Sequence, residues 1–220
     1  MPPLSDMPRP DWLAPLSDPR NETILSAAFD VFAEKGIHGA TMLEIATRAK
    51  VSKETLYARF DSKEGLFYAL LAWGAIKSGI HDDKFSDERL GNPRQALDDY
   101  AVECLVKMMK PESIAAYRIA MAEAERMPEL ARVFDEFTCK AGRPITTRIG
   151  VALAREGLVD IDDIAEFNDN FIGLLRGNLY HDVMIGVTPH PGDEAVAGHA
   201  RRAMVRLVRA YAAPRRDGFV

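Results

Sequence analysis

The stretch Thr41 to Phe60, TMLEIATRAKVSKETLYARF, constrains this 220-residue chain more than any other. Thr41 and Glu44 have capping-box spacing, in which the threonine oxygen accepts a backbone N–H three residues on and the glutamate reaches back. A short helix is therefore expected through Ala49, with Met42, Leu43, Ile45 and Ala46 mostly inward. Val51 and Ser52 then turn the chain, and Ser52 caps a second short helix, Lys53 to Phe60. Val51, Leu56 and Phe60 return to a core at helical spacing, which leaves Lys53, Thr55, Tyr57 and Arg59 outward. Two short helices joined by about three residues, the first packed closely through Ala46 and Ala49, have the geometry of a helix-turn-helix. The second helix of such a pair can enter a DNA major groove. Its side chains suit that place: lysine and arginine donate to phosphates or guanine edges, a threonine methyl can touch a thymine methyl, and a tyrosine hydroxyl fits a phosphate oxygen.

Helical signals extend on both sides. Asp18 and Pro19 open a helix in which Ile24, Leu25, Ala28, Phe29 and Phe32 mark one face, and Gly36 ends it. Asp61 with Glu64 repeats the capping arrangement before a fourth helix, Ser62 to about Gly79, carrying Leu66, Phe67, Leu70, Leu71 and Trp73. Further on, prolines after Asn92, Lys110 and Met127 predict helices near 93–109, 112–126 and 129–156. Asp162 to Gly186 is apolar on more than one face, the mark of a broadly buried helix, and a last helix reaches about Tyr211. No segment reads as a strand. The expected fold is all-α, about nine helices: a proline-rich arm at 1–18, a helix-turn-helix domain at 19–79 with its motif at 41–60, and a larger helical domain at 80–213.

The run A-x-x-A-x-V-S-x-x-T-L-Y-x-x-F-x-S-K-E-x-L, Ala46 to Leu66, resembles the DNA-binding domain of the TetR family of bacterial transcriptional regulators. The preceding I-L-x-A-A-x-x-x-F-x-E-K-G, Ile24 to Gly36, extends that resemblance over about sixty residues. Glu123 to Phe134, EAERMPELARVF, resembles the ligand-domain signature of the AefR-like branch. The resemblance implies a homodimer through the last two helices, an inverted-repeat operator in double-stranded DNA, and release by a small-molecule effector of unknown identity. It also implies that Thr41 and Tyr57 contact phosphate, that Ser52 and Lys53 open the recognition helix, that Thr55 faces base edges, and that Lys63 opens the fourth helix toward the DNA backbone. Two positions depart from the family. Lys50 stands where glycine is common, so it either adopts a left-handed backbone at a cost of ~1 kcal/mol or the turn differs. Arg59 stands where an aromatic residue or histidine is frequent.

Net charge is −5, which taken as uniform argues against nucleic acid. By segment it is −4 over Met1 to Thr47, +3 over Arg48 to Lys63, −7 through the middle and +3 from Asp193 to Val220. Electrostatic binding depends on the charges that face phosphates, and an acidic body carrying a small cationic head satisfies that. The arginines Arg201, Arg202, Arg206 and Arg209 on the last helix suit surface or interface ion pairs better than DNA.

Met108, Tyr117, Met121, Phe134, Phe137 and Arg176 are the candidates for an effector pocket, the first five with plain core packing as the simpler role and Arg176 with an interhelix or intersubunit hydrogen bond as the alternative. His81, Asp82, Asp83, His181 and Asp182 lack metal-ligand spacing, Cys104 and Cys139 lie 35 positions apart, and no phosphate-loop, dinucleotide or nucleophile-elbow motif occurs. Hence no metal, cofactor or enzymatic activity is expected. No apolar run is long enough to span a bilayer, and a cytoplasmic protein is expected. The competing class is a helical ligand-binding or enzymatic protein that keeps a helix-turn-helix without regulating transcription.

Overall fold

In the computed structural model, the described residues are 19–78, 86, 88–126, 128–136 and 140–212. They form ten α-helices and one 3-10 turn, with no strand among them. By contacts the chain divides into two compact units, one of residues 1–79 and 115–141, the other of 80–114 and 142–220. The segment from Ala115 to Ala141 groups with the N-terminal helices. The expected arm at 1–18 lies outside the described residues.

The first unit contains α1 (Pro19–Gly39), α2 (Met42–Ala49), α3 (Lys53–Phe60), α4 (Lys63–Ser78), the later part of α6 (Pro111–Glu123) and α7 (Pro128–Phe134). Its core joins Ile24, Leu25, Ala28 and Phe32 of α1 to Ile45 of α2, Leu56 and Phe60 of α3, and Leu66 and Phe67 of α4, all essentially without solvent contact. Phe32 meets Phe67 edge-on at 5.1 Å. Fully burying one such side chain stabilises by about 1.5–3 kcal/mol, so this core fixes the relative placement of helices too short to persist alone. Gly36, at φ 68° and ψ 171°, takes a backbone that costs other residues strain, and the regular turns of α1 stop there as expected. Ile119 and Phe134 pack against the same core, and Tyr117 meets Phe134 edge-on at 5.2 Å.

The second unit contains α5 (Pro93–Met108), α8 (Arg143–Arg155), α9 (Ile164–Met184) and α10 (Asp193–Ala210), with a 3-10 turn at Arg89–Gly91. Leu97, Leu105, Ile149, Leu153, Phe167, Leu175 and Leu207 are its fully buried centre. The single helix expected over 129–156 is instead two, α7 and α8. Gly142 stands at the N-cap of α8 and Pro144 in its first turn, where the missing N–H costs nothing but would interrupt a helix running through from α7. The apolar segment from Asp162 is α9, and it bends at Gly177, whose φ of 47° and ψ of −161° fall outside the helical region. There the imidazole Nε2 of His199 donates to the carbonyl of Leu175 at 3.1 Å, tying α10 to α9 beside the bend.

Candidate nucleic-acid interface

The local chemistry of the helix-turn-helix is that expected from the sequence, with one backbone choice now settled. Thr41 caps α2: its hydroxyl oxygen accepts from the Glu44 N–H at 3.2 Å while a Glu44 carboxylate oxygen accepts from the Thr41 N–H at 3.1 Å. Lys50 closes α2 in the left-handed region, φ 55° and ψ 41°, so the turn keeps the shape that glycine would give it. Ser52 caps α3 by accepting from the Thr55 N–H at 3.1 Å, and the two hydroxyls are 3.0 Å apart. At α4 the arrangement differs from expectation. Asp61 lies at φ 60°, and Ser62 supplies the cap, its hydroxyl accepting from the Gly65 N–H at 2.9 Å.

On α3 the outward residues are Lys53, Glu54, Tyr57 and Ala58. The Lys53 ammonium sits 5.6 Å from the centre of the Tyr57 ring, and Tyr57 is 43% exposed although aromatic. Thr55 is half-buried. Arg59 does not project with them: its guanidinium donates to the side-chain oxygen of buried Asn21 at 2.6 Å, tying α3 to α1. Lys63 likewise turns inward, donating to the carbonyl of Ala40 at 3.1 Å. Arg48 makes two bonds to the Glu34 carboxylate, at 2.7 and 2.9 Å, and the guanidinium holds that carboxyl below the usual carboxylate range. Lys35 pairs with Glu44, whose carboxyl is lowered by that ammonium and then by the Thr41 hydroxyl. Of the five cations from Arg48 to Lys63, Arg59 and Lys63 bond inward and Arg48 is paired on the surface with Glu34, while Lys50 and Lys53 are also exposed.

Sequence reasoning missed Glu54 and Ala58, which lie near the middle of the exposed face of α3. It also placed Leu43 inward, whereas the side chain is 62% exposed. The signal was available in the period: Met42, Ile45, Ala46 and Ala49 form a complete buried stripe, and Leu43 falls about 60° beyond its edge.

The pocket candidates fall in different units. Met108 is half-buried against the core of the second unit, where Arg176 lies over the Tyr180 ring at 5.5 Å. Tyr117 and Phe134 belong to the first unit, Met121 there is 63% exposed, and Phe137 lies outside the described residues. A groove of about 570 Å³ at the start of α10 is lined by Pro191–Ala195, Gly198 and Arg202, and none of the six candidates lines it. Near the end of α1, His38 Nε2 lies 2.7 Å from the buried carboxylate of Glu123.

Among the described residues no cluster of three histidines, cysteines or acids could hold a metal ion. His81, Asp82, Asp83 and Cys139 lie outside them. Cys104 is buried, which pushes its thiol up to about 12. No described helix is long and apolar enough to cross a membrane.

Residues 24–70 match the model of the bacterial regulatory proteins of the tetR family, and residues 95–213 that of the AefR-like transcriptional repressor C-terminal domain. The HTH-type transcriptional regulator UidR of Escherichia coli (strain K12) is 31% identical over 120 residues, 52% of this chain; the match spans only 57% of UidR's own length. A TetR-family structure from Mesorhizobium loti superposes with a TM-score of 0.73 at 24% identity, covering 88% of this chain and 97% of that one. A flavonoid-responsive regulator, FrrA, superposes with a TM-score of 0.70 at 27% identity, over 89% and 98%. With both family models matched in order along it, the second over more than half its length, the chain belongs to the TetR family of transcriptional regulators.

Proposed function

We propose that the protein is a homodimeric repressor that binds an inverted-repeat operator through α3 and leaves it when a small molecule binds the helical body. The observation that carries this reading is α3 itself: an eight-residue helix, capped by Ser52 and seated by Leu56 and Phe60, that exposes Lys53 and Tyr57. Two such helices set about one turn of DNA apart, ~34 Å, would enter successive major grooves. The match to a repressor-type C-terminal domain supports repression, and the flavonoid response named for FrrA supports control by a small molecule. Dimerisation through α9 and α10 is supported by the apolar groups they leave partly or largely uncovered, among them Ile172, Leu174, Leu179 and Val205. An effector moves the equilibrium only by its differential affinity for the bound and released conformations.

The test is retardation of the protein's own promoter region at low salt, with Lys53→Ala plus Tyr57→Ala as the partner experiment. Binding by the wild type and its loss in a double variant that still folds and dimerises supports the reading. Absence of retardation by a competent dimer overturns it.

A further inference from the structure

Leu43 is the large apolar side chain that the helix-turn-helix leaves most open to solvent among its described residues, at 62% exposure; Tyr57 follows at 43%. Everything around Leu43 has a structural task. Met42, Ile45, Ala46 and Ala49 are buried in the core of the unit. Glu44 and Arg48 pair with Lys35 and Glu34, so one flank of α2 belongs to α1. At about 100° per residue, Leu43 and Thr47 stand across the buried stripe from those two pairs, on the flank that α1 does not cover. Leu43 is therefore the large apolar side chain that this exposed flank of α2 presents to solvent.

We infer that Leu43 is a sequence-reading residue: its isobutyl group packs against the C5-methyl of a thymine in the operator's major groove. This rests on the operator-binding reading above and deepens it, since it names the base and the chemistry. The 5-methyl group is the apolar feature of the major-groove edge, and an exposed leucine has no hydrogen bond to offer any other part of that edge. The surrounding head supports such a contact. With Arg48, Arg59 and Lys63 engaged in internal bonds, charge contributes less here and apolar packing correspondingly more. Thr47 does not compete for the same base, because its hydroxyl donates to the Leu43 carbonyl at 2.8 Å.

The test uses the full-length protein and an operator selected from random sequence by the wild type. Each thymine is replaced singly by deoxyuridine, which removes the methyl and leaves base pairing intact, and affinity is read by fluorescence anisotropy. Burial of one methyl corresponds to about a fourfold change in affinity per half-site. The wild type should lose about that much at one thymine in each half-site, and Leu43→Ala should be weaker on thymine DNA yet indifferent to uracil at that same position. Leu43→Met, still apolar and helix-compatible, should keep most of the discrimination. Thermal melting of both variants should match the wild type. A Leu43→Ala variant with the wild-type thymine profile overturns this inference alone; a wild type that selects no operator overturns the reading beneath it as well.

Discussion

Lys50 carries the sharpest test of backbone cost in this protein. Its φ of 55° is one that a residue with a Cβ adopts at a penalty, and it is exposed, so no packing depends on its side chain. Lys50→Gly should raise stability by about 1 kcal/mol, read as a higher denaturant midpoint at unchanged slope. Arg59 has the opposite character. Residue type alone marked it as an outward cation, but Asn21 is 1% exposed and its oxygen takes the guanidinium. Arg59→Ala should destabilise the fold by about 1–3 kcal/mol, since it strips a donor from a buried acceptor. Lys53→Ala should leave melting unchanged and weaken operator binding, and comparing the two separates a fold-holding cation from a DNA-facing one. Local sequence showed that both residues lie on α3. It could not show that α1, some forty positions earlier, supplies a buried acceptor for one of them.

Helices were legible where caps and periods coincide. The Thr41 and Ser52 caps, the Gly36 stop and the prolines opening α5, α6 and α7 are short-range signals, and the structure uses each of them. The failures are of a different kind. Apolar spacing persists through 129–156 because α7 and α8 each need a buried face, so periodicity ran across the break between Phe134 and Arg143. The bend in α9 depends on Gly177, and on a histidine from another helix that satisfies the Leu175 carbonyl. Gly177→Ala should cost about 1–3 kcal/mol, because the backbone there suits glycine and an added Cβ would stand 3.2 Å from the His199 ring. His199 also brings a pH dependence. Burial lowers its pKa from 6.5, with Arg202 and Arg206 acting in the same direction and the Leu175 carbonyl opposing them. The unfolded chain then binds the proton more readily than the folded one. The contribution is therefore complete above about pH 6.5 and is lost as pH falls from there toward the lowered folded value. Melting curves between pH 7.5 and 5 should show that decline, and His199→Gln should flatten part of it.

For the protein as a whole, the charge map and the structure together define what salt should do. Each cation that meets a phosphate releases counterions, so the logarithm of affinity falls with the logarithm of salt at a slope near 0.9 per contact. Removing Lys53 from both halves of a dimer should reduce that slope by about two, measured by anisotropy over a salt series. A pocket is harder to read from sequence than a recognition helix. A reading helix is one short segment whose caps, core contacts and exposed face sit within twenty residues, whereas the six pocket candidates are scattered over 69 positions, from Met108 to Arg176. Met108 and Arg176 pack in one unit while Tyr117 and Phe134 pack in the other. Apolar residue type does not distinguish a lining side chain from a core one.

The internal engagement of Arg48, Arg59 and Lys63 also bears on how the protein travels before it recognises anything. Random chromosomal DNA attracts a regulator chiefly through its surface cations, and here the helix-turn-helix engages three of its cations in internal bonds while the chain as a whole is anionic. Each stop on an unrelated stretch should be brief, and little of the cellular pool should be lost to the genome's excess of wrong sites. Scarce copies then suffice to keep a true operator occupied, provided that shape and apolar contact supply the affinity that charge does not.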